Sequence, residues 1–283
     1  ASIVLMDVVE NDENRSHPQY DDCVYFLAES LRRTGNFSGA RSFFEDLLSR
    51  ARGQRLKEVV VALLGIADST GRYDGVEVYV DRLMRVGDAS DPMFNYHYGK
   101  TLFRSAGTDD IRYSKALEVF SRIAAGGEAS AKASYYAGVT LLQMRKIDEA
   151  ILKFQEAAKR SGSAVEADEI KDLAQLALGR AYYEKGDVTN AVDSYQEINE
   201  KSPHFSDMLF EVAWAYVKAS NQNVGNPEEK ARFLDMALRM SELLMASAPD
   251  HKLFPEARIL EGNLQIRLGA PETAYDTFQT IID

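Results

Sequence analysis

The chain has 283 residues, 45% of them apolar and 27% charged, the balance of a folded protein rather than a disordered one. Its 33 basic and 44 acidic residues leave a formal charge of −11, which argues against nucleic acid or an anionic membrane as the main partner, since either calls for a basic surface. The one cysteine, Cys23, excludes an internal disulfide and a multi-cysteine metal site, and the longest apolar run, Val59 to Ala67, falls far short of the roughly 20 residues that span a bilayer.

In chain order, Ile3, Val4, Met6 and Val9 read first, as the apolar face of a short helix. From Tyr20 onward a two-helix pattern recurs. Each second helix carries a small residue, a large one four positions on and an apolar one three further. The sets are Ala40, Phe44, Leu47; Val76, Val80, Leu83; Ala116, Phe120, Ile123; Ala150, Phe154, Ala157; Ala191, Tyr195, Ile198; Ala237, Ser241, Leu244; and Ala274, Phe278, Ile281. A spacing of four plus three is one face of a helix. The first helix of each pair has its own mark at Ala28, Leu64, Gly99, Gly138, Gly179, Ala213 and Gly262. Small residues there predict close helix approach, and Gly35, Gly71, Gly186 and Gly269 supply tight turns between the two helices.

The segment from Gln175 to Pro203 is the clearest copy: Leu178-Gly179, Tyr182, Gly186, Ala191, Tyr195 and a closing Pro203. On these residues the chain resembles the tetratricopeptide repeat family, whose period is about 34 residues. Gln175 stands where that family usually has tryptophan. The resemblance runs from about Tyr20 to Asp283 and implies an all-α fold, an α-solenoid wound as a right-handed superhelix of about seven helix pairs. The units fall near 20–53, 56–90, 91–129, 130–168, 171–203, 205–250 and 254–283, after a partial helix of a preceding repeat at 1–19. The markers of the second helices are 36, 40, 34, 41, 46 and 37 residues apart. The excess is expected in loops at 105–113, 161–168 and 220–229, where insertions are cheap and binding function gathers. The opening helix without a partner, and an ending at Ile281-Ile282-Asp283 without a polar closing helix, lead us to expect a piece of a longer protein, or ends covered by neighbours. End-to-end self-association is one way to cover them.

No catalytic signature stands out. His17, His97, His204 and His251 lie far apart, without metal-ligand spacing. There is no phosphate-cradling glycine–lysine run and no nucleophile elbow. The acidic pairs Asp109-Asp110, Asp168-Glu169 and Glu228-Glu229 sit beside predicted helix starts, where carboxylates complement the helix dipole. Asn221, Asn223 and Glu229 miss the calcium-loop spacing, which would need glutamate at Arg232. Cys23 follows Asp21 and Asp22 rather than a cation and reads as inert. The expectation is therefore no catalysis, no metal and no cofactor.

The resemblance implies that the first helices line a concave groove through their second, fifth, ninth and twelfth positions. Those positions include Tyr96, Lys100 and Phe103 in the third pair, Tyr135 in the fourth, and Leu176, Arg180 and Tyr183 in the fifth. The sixth offers Phe210 and Trp214, with Lys218 close by, and the last offers Glu256, Ile259, Asn263 and Ile266. In the first pair Tyr25 and Glu29 stand where chaperone-binding members carry lysine and asparagine, so that carboxylate clamp is absent. The aromatics point to an apolar or amphipathic segment of another protein, oriented by Lys100, Arg180 and Lys218. Two readings stay open: a solvent-filled groove, or aromatics that are simply core. The stretches Tyr25-Phe26-Leu27-Ala28-Glu29-Ser30, Ala213-Trp214-Ala215-Tyr216 and Ser247-Ala248-Pro249-Asp250 resemble tetratricopeptide proteins of Gram-negative cell envelopes, outer-membrane assembly lipoproteins and deltaproteobacterial gliding components among them. That likeness implies a periplasmic scaffold within an envelope complex. The alternative is the sensor domain of a cytoplasmic regulator, binding a peptide or small ligand.

Overall fold

The computed structural model describes residues 2–86, 90–126, 128–159, 165–223 and 225–282. Among them there are α-helices, one 3-10 helix and no strand. The chain begins with α1 (Ser2–Glu10) and the 3-10 helix Asp12–Ser16. Seven helix pairs follow: α2 (Tyr20–Arg33) with α3 (Phe37–Arg50), α4 (Gly53–Thr70) with α5 (Val76–Arg85), α6 (Pro92–Ser105) with α7 (Asp110–Ser121), α8 (Glu128–Gln143) with α9 (Ile147–Lys159), α10 (Val165–Lys185) with α11 (Val188–Gln196), α12 (Phe205–Gln222) with α13 (Pro227–Ser247), and α14 (Phe254–Arg267) with α15 (Pro271–Ile282). The chain divides into two compact units, Ala1–Thr140 and Leu141–Asp283, with the boundary inside α8.

In unit 1, α1 packs on α2, α2 on α3, α3 on α4, α4 on both α5 and α6, and α6 on α7. The local sequence explains each start and stop. α2 buries Val24, Leu27 and Ala28, and places Asp21 and Asp22 in its first turn and Arg32 and Arg33 in its last, each where the helix dipole favours it. Gly35 takes the left-handed turn conformation at φ 80°, and the Asn36 side chain then caps α3 by accepting from the Gly39 N–H at 3.0 Å. Asp91 caps α6, whose first residue is Pro92. The small-residue mark at Gly99 lies against the Phe120 ring, which a Cβ there would meet at 2.5 Å.

Unit 2 repeats the scheme: α9 packs on α10, α10 on α11, α11 on α12, α12 on α13, α13 on α14 and α14 on α15. Gly179 lies against Tyr195, and Gly262 against Phe278. In α13 the equivalent of these aromatics is Ser241, fully buried with an Oγ that finds no hydrogen-bond partner. An unsatisfied buried hydroxyl is destabilising. Ser241→Ala is expected to raise the unfolding free energy by about 1 kcal/mol, measured by urea titration of far-UV circular dichroism; a loss of stability would mean that the hydroxyl is in fact satisfied.

Two of the three expected insertions are helix rather than loop. Between α6 and α7 there are four residues, and Asp109 caps α7 by accepting from the Ile111 and Arg112 N–H groups. The Tyr113 hydroxyl donates to the Gly107 carbonyl at 2.8 Å and closes that turn. In the sixth pair the extra residues lengthen the helices to 18 in α12 and 21 in α13. Asn226 caps α13, with Pro227 next, and of the expected 220–229 segment Val224 lies outside the described residues. In the third segment 161–164 lie outside the described residues, and α10 begins at Val165, before the expected start at 171.

Candidate functional site

The nine residues singled out in the sequence fall into two settings. In unit 1 they are packing. Tyr96 on α6 is buried, and its ring lies 5.8 Å from that of Tyr136 on α8. Phe103 and Tyr135 are half-buried against the same ring, at 6.1 and 5.5 Å. Lys100 places its Nζ 3.2 Å from Oδ2 of Asp68 and over the Tyr96 and Tyr136 rings. The Lys100 side chain is 15% exposed and that of Asp68 only 4%. Nδ1 of His97 lies 3.2 Å from the same carboxylate oxygen, and Arg104 donates to the Asp68 carbonyl at 3.4 Å. Asp68 sits near the end of α4, where the helix dipole disfavours a carboxylate, and cations from α6 offset it. Tyr96 and Lys100 are thus an internal contact of unit 1, not an open groove wall.

In unit 2 Arg180 and Trp214 meet solvent, while Tyr183, Phe210 and Lys218 are half-buried. The Arg180 guanidinium on α10 donates to the Glu211 carboxylate on α12, with Nε 2.9 Å from Oε2 and 3.0 Å from Oε1. The Tyr195 hydroxyl on α11 donates to Oε2 of Glu211 at 2.9 Å, so one carboxylate holds three helices. Burial first, and the Glu211 charge second, push the Tyr195 hydroxyl far above the ordinary phenol range. Lys218 on α12 donates to the Tyr183 carbonyl on α10 and lies 4.1 Å over the Tyr183 ring. Leu176, expected in the groove, is buried instead.

Phe210 is half-buried edge-on to Trp214, with ring centroids 6.4 Å apart. Trp214 itself is 42% exposed. The neighbouring α14 exposes Ile259 at 47% and Ile266 at 51%, on one face with Asn263. Contacts at both ends set α12 and α14 side by side in the same direction. At the starts, Asp207 faces Lys252 at 3.4 Å and His251 at 3.8 Å. At the ends, Arg267 donates to Ser220 Oγ at 3.0 Å and to Asn221 Oδ1 at 2.7 Å. Phe210 and Trp214 on α12 and Ile259 and Ile266 on α14 are thus apolar side chains on two helices joined by an ion pair at their starts and by hydrogen bonds at their ends.

Sequence reasoning missed Asp68 and Glu211, the two carboxylates that organise these settings. The only sequence signal for Asp68 is an acid directly following the apolar run Val59 to Ala67. Glu211 has none, because its role depends on a register between α10 and α12 that spacing alone does not give. Among the described residues no group of three or more histidine, cysteine or acidic side chains is placed to hold a metal ion, and no helix is long and apolar enough to cross a membrane.

Residues 112–166 and 153–204 match the tetratricopeptide repeat family. The all-α fold is of the tetratricopeptide-repeat class. A signal transduction ATPase with numerous domains from Pyrococcus horikoshii, carrying a tetratricopeptide repeat sensor, superposes with a TM-score of 0.66 at 14% identity over 99% of this chain. The chain spans 42% of that protein's length. A tetratricopeptide repeat protein from Parabacteroides merdae gives a TM-score of 0.57 at 13% identity, covering 93% of this chain and 92% of that one. PilW, a widely conserved type IV pilus biogenesis factor, gives 0.55 at 14% identity, covering 83% and 96%. No curated protein sequence matches the chain.

Proposed function

We propose that the chain is a non-catalytic interaction scaffold that holds an apolar or amphipathic segment of another protein on the α12–α14 face, with Trp214 as anchor. The observation that carries this reading is the exposure of the only tryptophan, on α12, together with two exposed isoleucines on α14, a helix that Arg267 ties to α12 by hydrogen bonds. Large aromatics of this kind dominate protein interfaces, because they bury much area for little lost freedom. Protein–protein scaffolding is also the usual work of tetratricopeptide repeats. The setting we propose is the periplasm, within a bacterial envelope complex; the resemblance in the sequence supports it, and PilW shares the fold. A second reading, the sensor domain of a regulator, draws on the Pyrococcus protein, whose tetratricopeptide part is a sensor.

The test is crosslinking of native extract to the wild type and to Trp214→Ala/Ile266→Ser, with crosslinks mapped by mass spectrometry. A partner that crosslinks to α12 and α14 of the wild type should bind the folded variant roughly 30-fold more weakly, as loss of a tryptophan anchor implies. Since Trp214 is the only tryptophan, the purified partner should also shift its fluorescence to the blue. Equal capture by both proteins would reject the α12–α14 face.

A further inference from the structure

Unit 1 carries a second surface with a different chemistry. Most arginines of this unit pair with carboxylates: Arg32 and Arg33 with Glu29, Arg41 with Glu45 and Asp74, Arg50 with Asp21 and Asp46, and Arg55 with Asp22 and Glu58. Among the described residues Arg52, Arg82 and Arg85, like Arg104, pair with none. These three line one pocket of about 440 Å³, with Leu56, Val78, Asp81 and Val86. Arg52 and Arg82 are held by backbone carbonyls, Arg52 donating to Ala51 at 2.8 Å and Arg82 to Ser49 at 2.7 Å. The Arg82 Nε is buried with no acceptor, and Asp81 is exposed.

Two residues at the start of α4, Arg52 and Leu56, belong to the same lining. Arg52 is the N-cap residue of the helix and makes no side-chain cap, the first turn holds no acid, and nothing lies within 4 Å of where a Cβ on Gly53 would be. The positive end of the helix dipole thus lies near the arginines without a carboxylate to offset it in the first turn. Val78 and Val86 are 63% and 55% exposed on the rim. Among the described residues that line the pocket, three arginines without an ion pair stand against one aspartate, in a chain of formal charge −11.

We infer that this pocket binds an acidic stretch of a polypeptide, with an aspartate or glutamate carboxylate on Arg52, Arg82 and Arg85 and a neighbouring aliphatic side chain on Val78 and Val86. Guanidinium groups match carboxylate geometry. A bare phosphate would serve the arginines and leave the valines wet, so the apolar rim favours a peptide over a free anion.

The test uses the full chain and two labelled peptides with blocked ends, Leu-Asp-Leu-Glu-Leu and its neutral counterpart Leu-Asn-Leu-Gln-Leu, read by fluorescence anisotropy. The acidic peptide should bind roughly tenfold more tightly than the neutral one, and Arg85→Gln should weaken it about fivefold. Arg85 has no hydrogen bond among the described residues, so this variant should melt like the wild type. Equal binding of the two peptides, or unchanged binding in Arg85→Gln, would overturn the assignment. Displacement by inorganic phosphate at the peptide's own concentration would overturn it too, by showing a bare anion site. Trp214→Ala should bind the acidic peptide as the wild type does, which separates this pocket from the α12–α14 face; loss of binding there would also count against it.

Discussion

Asp68→Ala is expected to lower the unfolding free energy of unit 1 by about 3 kcal/mol, the low end for breaking a buried ion pair by removing one partner. The reason lies in what stays behind. Lys100 keeps its charge in a site that is 15% exposed, and His97 loses its acceptor. The Tyr96 and Tyr136 rings beneath the ammonium offset part of the loss, which is why the upper end of the range is not reached. The aspartate joins α4 to α6, so the effect should be local: amide hydrogen exchange should quicken in those two helices and hardly change in α14 and α15, as expected where stability is a sum of neighbour contacts. Asp68→Ala/Lys100→Met removes both charges and should recover most of the stability. Urea titration followed by circular dichroism reads both variants. If the double variant is no more stable than Asp68→Ala, the ion pair is not what holds α4 on α6.

The helix pairs were legible because their signal is local and redundant. Seven copies of one spacing, five of them with a small residue matched to an aromatic, predict the pairs, and Gly99 against Phe120 and Gly179 against Tyr195 are those contacts in three dimensions. Loop lengths were misread for a related reason. Marker spacing counts residues but not their conformation, and α13 absorbs the surplus of the sixth unit as extra helical turns. The concave positions were harder still. The same positional rule picked out Tyr96, which is buried, and Trp214, which is exposed. What separates them is the neighbour. Tyr136 on α8 packs against Tyr96, whereas the ring partner of Trp214 is Phe210 on its own helix, and Trp214 stays 42% exposed. That difference depends on three helices at once, and no single repeat encodes it. The arginine pocket was invisible for the same cause: Arg52 and Arg85 are 33 residues apart and meet only through the packing of α4 and α5.

Gly179→Ala should destabilise unit 2 by about 2 kcal/mol, although alanine is the better helix former. Two terms compete. Replacing glycine inside a helix gains about 1 kcal/mol from backbone entropy. Against that, the new Cβ would overlap the Tyr195 ring more closely than real Cβ contacts come. Tyr195 cannot swing aside cheaply. Its ring is almost fully buried, and its hydroxyl is fixed on the Glu211 carboxylate at 2.9 Å. Moving the ring therefore drags the group that also holds Arg180, and overpacking of this kind costs about 3 kcal/mol. The steric term wins. Gly65 on α4 supplies the opposite case within the same protein. A Cβ there meets only His97 Cε1 at an ordinary 3.7 Å, so Gly65→Ala should stabilise by up to about 1 kcal/mol. Urea titration of both variants gives the two signs side by side. Because Glu211 shares α12 with Trp214, Gly179→Ala should also change Trp214 fluorescence before unfolding begins, whereas Gly65→Ala should not. Two stabilising alanines would mean that the ring of Tyr195 yields freely, and that close approach is not what keeps this position small.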